Sequence, residues 1–180
     1  MVETLLRIRF GTEALDRNYN VSGYSIKSVP PPTKSSEDFT GTLKGEKVTL
    51  EGVKTQEIKY VKRSSDELLD LRTEFKSSAR KTFLENLSKD TDYLKKAGFS
   101  DTDILKIQNG RVPDGWQVHH KLPLDDSGTN DLDNLILINN EPYHKVITNY
   151  QNSIASQMEV GEITSIEWPM PEGNIYPLKP

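Results

Sequence analysis

The chain has 180 residues, 28% charged and 34% hydrophobic, and its 27 Asp and Glu outnumber 23 Lys and Arg for a net charge of −4. That length suits one ordinary domain, or a small domain with an appended module, around a modest core; no apolar run approaches the roughly 20 residues that a membrane span needs. Cysteine is absent, which excludes a disulfide framework and a thiolate metal site and fits a protein that works in a reducing cytoplasm.

In chain order, the opening MVETLLRIRFG has too short an apolar run for a signal peptide, so export is expected only as part of a longer polypeptide. Residues 4–10 read as a strand. Residues 18–36, rich in Ser and Asn and containing Pro30-Pro31-Pro32, read as an extended arm or interdomain connection. From 42 to 60 the alternating TLKGEKVTLEGVKTQEIKY, with its Gly turns, suggests two short strands in a hairpin. Residues 1–60 are therefore expected to be an N-terminal arm or small β-containing module.

Helices are expected next. Ser64 with Glu67 makes a capping box ahead of an apolar stripe at Leu68, Leu71, Phe75, Ala79, Phe83 and Leu87. A second helix runs through Tyr93 and Leu94 to Gly98, and Ser100 caps a third that ends at Gly110. A short strand then closes on His119-His120, followed by a polar loop at 123–133 with a Ser127-Gly128 turn. Asn134 leads into the buried strand Leu135-Ile136-Leu137-Ile138, and His144 follows in a closing helix. The tail, with Trp168-Pro169 and Ile175-Tyr176-Pro177, is expected to pack back as a strand and an extended segment. The fold class is α+β.

All three histidines lie within residues 116–150. Consecutive side chains of an extended strand point to opposite faces, so one imidazole of the His119-His120 pair can hold a metal while its neighbour faces a substrate. Hydrolysing a phosphodiester needs a deprotonated water and positive charge near the leaving oxygen. A neutral imidazole is suited to taking the water's proton, and imidazoles also ligate divalent metals.

Read as His120, Asn134 and His144, the pattern resembles the HNH nucleases, the ββα-metal or His-Me finger group. It is most similar to bacteriocin-type nucleases and to the C-terminal toxin domains of polymorphic toxins, including Rhs, contact-dependent and type VI effectors. The likeness rests on HHKLPLDDSGTN, DNLILI and PYHKVITN, with NGRVPDGWQ ahead of them. It is strong over residues 109–152, weaker over 62–108 and absent before that. The resemblance implies a nuclease toxin domain at 61–180 with a ββα-metal core at about 115–152. It makes His119 a metal ligand, His120 the general base and His144 a second ligand. Asn134 becomes a clamp that bonds across the loop and holds His120. Where bacteriocin nucleases often carry a further helix histidine, this chain has Thr148, a candidate third ligand.

The resemblance further implies one divalent metal ion, zinc, nickel, manganese or magnesium, and a nucleic-acid substrate, DNA ahead of RNA. It implies export within a larger toxin, action in the cytoplasm of a target bacterium, and neutralisation by a cognate immunity protein. One rival is a free-standing phage, restriction or repair endonuclease. Another is a non-catalytic zinc or nucleic-acid-binding module, although a structural zinc site wants four protein ligands.

Charge is uneven along the chain. Residues 41–100 hold 13 basic and 10 acidic side chains, net +3, and residues 101–180 hold 5 and 12, net −7. Phosphate contacts are therefore expected from Arg72, Lys76 and Arg80, spaced four apart beside the apolar stripe, from Lys62 and Arg63, and from Lys121 beside the pair. The bland alternative for the stripe is a solvated face paired with Asp66, Asp70 and Glu74, and Asp125-Asp126 reads as a solvated loop tip.

Overall fold

The computed structural model describes residues 34–178; the expected strand at 4–10 and most of the 18–36 connection lie outside the described residues. Strand β1 (Lys34–Leu43) turns through Lys44 and Gly45, both at positive φ, into β2 (Glu46–Val61), with Leu43 paired to Glu46. Two positive-φ residues between antiparallel strands form the hairpin turn whose twist matches the sheet. The second strand is 16 residues long rather than short, because it is paired in two stages. Its first part pairs with β1, and its second, from Lys54 to Val61, runs antiparallel to β5 (Ile163–Met170). Residues 34–61 and 163–170 thus share one sheet.

The second sheet has the order β3 (Trp116–His120), β4 (Leu135–Asn139), β6 (Ile175–Tyr176), with β3 antiparallel and β6 parallel to β4. Strand β4 is buried on both faces and separates two cores. Leu135 and Leu137 pack with Phe83, Leu84, Leu94 and Ile107 from the helices, whereas Ile136 and Ile138 pack with Leu50, Tyr60, Val146, Ile147 and Trp168. Each of these four β4 side chains stabilises the fold by roughly 1.5–3 kcal/mol on burial. That locks the register, since a one-residue slip would put every side chain on the wrong face.

The helical layer begins with α1 (Ser65–Glu74), where Ser64 and Glu67 form both halves of the capping box. It continues through a π-helical turn at Phe75–Ala79 into α2 (Arg80–Leu87). Helix α3 (Thr91–Lys96) is capped by Asp90 and α4 (Asp101–Gln108) by Ser100. Helix α5 (Lys145–Ala155) follows a turn at Asn140–His144 and lays Val146 and Ile147 against the face of Ile136 and Ile138. Helices and sheets coexist as α+β. Among the described residues no helix is long and apolar enough to cross a membrane.

Candidate active site

Register assigns the histidines to opposite faces. His119 pairs with Ile136 and shares the α5 side of the sheet, while His120 pairs with Leu135 and shares the helical side. His144 ends the helical turn Asn140–His144 and stands where α5 begins, and its ring lies 4.8 Å from that of His119 at an interplanar angle of 86°. Thr148, one helical turn on, brings its Oγ1 to 3.3 Å from His144 Nε2.

His119 Nε2 is buried and has no hydrogen-bond partner. Burial, reinforced by His144 and His120, pushes the His119 imidazole down to about 3, and burial takes His144 down to about 4. Both rings are therefore neutral near pH 7 and keep a lone pair. A buried, unpartnered ring nitrogen costs about 1–3 kcal/mol unless something meets it. Among the described residues no group of three or more His, Cys, Asp or Glu side chains gathers into a metal cage. A divalent ion here would meet two imidazoles, those of His119 and His144, with the Thr148 hydroxyl beside them.

On the other face, the His120 ring lies 4.5 Å from the ring of Phe75, and its Nε2 is 3.0 Å from Asn130 Oδ1. Burial lowers the His120 pKa, and the bond to Asn130 opposes that shift.

Asn134 is the last residue of a 3-10 turn (Leu132–Asn134) that leads into β4. Its Oδ1 accepts from Leu122 N at 2.8 Å, and its Nδ2 donates to Leu122 O at 3.0 Å and Thr129 O at 2.8 Å. The backbone adds Lys121 N to Asn134 O at 2.7 Å. Asn134 thereby ties together the two ends of the loop that follows the histidine pair.

The same loop is held from outside. Lys62 and Arg63, expected on substrate phosphates, turn their donors inward. Lys62 Nζ donates to Ala155 O at 2.7 Å and Met158 O at 2.5 Å, and the Arg63 guanidinium donates to Leu124 O at 2.8 Å and Gly128 O at 2.6 Å. Strand β2 delivers both side chains to carbonyls at the end of α5 and in the loop, groups that need donors once shielded from water. Asp126 is not a solvated tip: it is fully buried, accepting Val61 N at 2.6 Å. Its neighbour Asp125 bonds Gln151 of α5. Gly128 lies against backbone, where a Cβ would sit 2.0 Å from Leu122 O.

Of the other expected cations, Lys121 is half-buried, and burial lowers its pKa against the pull of Asp133. Arg72, Lys76 and Arg80 are exposed and form no ion pair among the described residues; their pairing with Asp66, Asp70 or Glu74 is not made. Four framing side chains are ones that the sequence pattern did not assign to the site. Phe75 and Asn130 contact His120, Glu74 holds Asn130, and Trp168 donates through Nε1 to Lys121 O at 2.7 Å.

Residues 105–141 match the sequence model of the HNH endonuclease family. The matched span contains His119, His120 and Asn134 and stops short of His144, which enters through its place against His119. The match supports nuclease activity, and with it a nucleic-acid substrate and the divalent metal that HNH nucleases typically use. The chain is also 47% identical over 139 residues to "Uncharacterized protein YhhZ" of Escherichia coli (strain K12), across 77% of this chain and 35% of that protein. It thus spans about a third of the length of the curated relative it matches. No solved structure matches the chain.

Proposed function

We propose that this chain is a metal-dependent endonuclease whose β3, β4 and α5 form a ββα-metal core, and that it acts on DNA as the toxic domain of an interbacterial effector. The observation that carries the catalytic reading is the division of the pair: His119 lies against His144 with an unpartnered buried nitrogen, while His120 occupies the opposite face. His119 and His144, with Thr148 as candidate third ligand, would hold a zinc, nickel, manganese or magnesium ion, whose chemistry when bound is to stabilise charge developing on the phosphate.

His120, kept neutral by burial, takes the proton of the attacking water as general base. Asn134 holds the loop behind that base, and Lys121, Arg72, Lys76 and Arg80 are the side chains assigned to substrate phosphates. The toxin role rests on the likeness of HHKLPLDDSGTN, DNLILI and PYHKVITN to polymorphic-toxin nucleases. It carries with it delivery within a larger exported toxin, action in the target cytoplasm and a cognate immunity protein as partner.

The deciding experiment incubates purified protein with supercoiled plasmid and structured RNA across magnesium, manganese, nickel and zinc, with a chelator control. Plasmid cleavage that needs metal and is lost in His120→Ala is the expected result. Cutting of RNA alone would move the substrate, and no cutting of either under any metal would overturn the enzymatic reading. Growth arrest on cytoplasmic expression, absent for His120→Ala, tests the toxin role.

A further inference from the structure

We infer that Glu74 and Asn130 fix the tautomer of His120 and so select Nδ1 as the atom that accepts the proton. This deepens the proposed function, because it rests on His120 being the general base. The Asn130 amide has two hydrogens, and both are committed: Nδ2 donates to Leu71 O at 2.9 Å and to Glu74 Oε2 at 2.8 Å. A backbone carbonyl and a carboxylate are acceptors, so turning the amide over would set oxygen against oxygen twice. The amide orientation is therefore determined, and its Oδ1 faces His120 Nε2 at 3.0 Å.

An amide oxygen only accepts. Nε2 must then carry the hydrogen, and a neutral imidazole carries only one, which leaves the lone pair on Nδ1. The other tautomer would press two lone pairs together at that same distance. Phe75, whose ring is 4.5 Å from the imidazole, packs against it and limits ring rotation. Leu71, Glu74 and Phe75 lie within about one turn of each other, where α1 passes into the π-helical turn. Such turns within longer helices recur at functional sites, because they re-aim the side chains around them. Glu74 and Asn130 are thus positioning residues: neither is assigned to substrate, and both act through the His120 ring.

The test uses the full chain labelled with 15N-histidine, in zinc, with the three imidazoles assigned from single histidine variants. His120 is expected to give nitrogen shifts of the form protonated at Nε2. Asn130→Ala should yield mixed tautomers and a kcat lower by about tenfold or more, within the range that a general base contributes, with KM and metal affinity nearly unchanged. Glu74→Ala should shift both readouts the same way by less. Glu74→Gln, whose amide oxygen still accepts from Asn130, should restore them.

Should Asn130→Ala fail to fold, the Glu74 pair decides alone, since that side chain is exposed on its helix. Protonation at Nδ1 in the wild type would overturn the inference. So would foldable Asn130 and Glu74 variants with unchanged tautomer and kcat. A His120→Ala protein that still cut would instead overturn the base assignment, and with it the catalytic half of this inference. The nitrogen shifts of the wild type would still report whether the amide sets the ring, which keeps the two failures apart.

Discussion

Replacing Asn134 with alanine removes three hydrogen bonds at once, those to Leu122 N, Leu122 O and Thr129 O. At a net contribution of about 0.5–1.5 kcal/mol each, the expected loss of stability is roughly 2–4 kcal/mol. The protein should still fold, because Arg63, Asp126 and Trp168 hold the same loop independently. Freed from its clamp, the chain after His120 can drift, and displacement of a catalytic group by about an ångström costs on the order of a hundredfold in rate. Asn134→Asp should not rescue: it keeps an acceptor for Leu122 N but sets a carboxylate oxygen against the two carbonyls. Urea unfolding, single-turnover plasmid cleavage and calorimetric metal titration read the three consequences separately. An unchanged unfolding midpoint would refute the hydrogen-bond reasoning. A loss of metal affinity as large as that of His144→Ala would make Asn134 a ligand rather than a clamp.

His120→Ala should abolish cleavage while metal titration stays close to wild type; substantial residual cutting would remove it as the base. His144→Ala should lose metal affinity and activity together, and unchanged affinity would move the metal site elsewhere. Reversing the charges of Arg72, Lys76 and Arg80 should weaken DNA binding and reduce the slope of log affinity against log salt by about one unit per lost phosphate contact, with saturating DNA largely restoring the rate. A wild-type slope would return that stripe to a solvated face. The metal-free protein should lose stability on acidification. With folded values near 3 and 4 against an ordinary 6.5, His119 and His144 bind protons more readily when unfolded, so their contribution is complete above about pH 6.5 and declines below it. Thermal melts from pH 8 to pH 4 check the sign, and a melting temperature that rose with acid would contradict their neutral burial.

Local features were the legible ones. The split of His119 from His120 follows from the two-residue period of a strand, and the unbroken run at Leu135-Ile136-Leu137-Ile138 marks a strand covered on both faces. The caps at Ser64 and Ser100 are local hydrogen-bond patterns and appear where their residue types stand. What stayed hidden depends on distance along the chain. The length of β2 reflects pairing with β5 more than 100 residues later. Asn130 and Glu74 are 56 residues apart, and no spacing rule joins them. Lys62 and Arg63 illustrate a different blindness. A dibasic pair reads as a phosphate contact because cations are visible in a sequence, whereas the carbonyls that claim them become unsatisfied only once the chain has folded. Asp126 inverts the same error, since its acidity reads as solvation until β2 brings Val61 N to it.

Strand β3 is where these observations meet. The two buried cores lie on opposite sides of β4, and β3 presents one histidine to each side through adjacent residues. The spacing between metal and base on the proposed reading is therefore set by the pleat of a single strand, the least deformable link available. What each side chain then does is set by the element facing it. Helix α5 brings His144 to His119, while α1 and the π-helical turn bring Glu74 and Phe75 to the surroundings of His120. The exposed cations Arg72, Lys76 and Arg80 ride on that same helical run. On the proposed reading, a net-negative chain engages a polyanion through three exposed cations, Arg72, Lys76 and Arg80, on the helical run that also supports the proposed base. The same reading couples backbone grip and proton transfer through one helical run and assigns metal affinity to the other core.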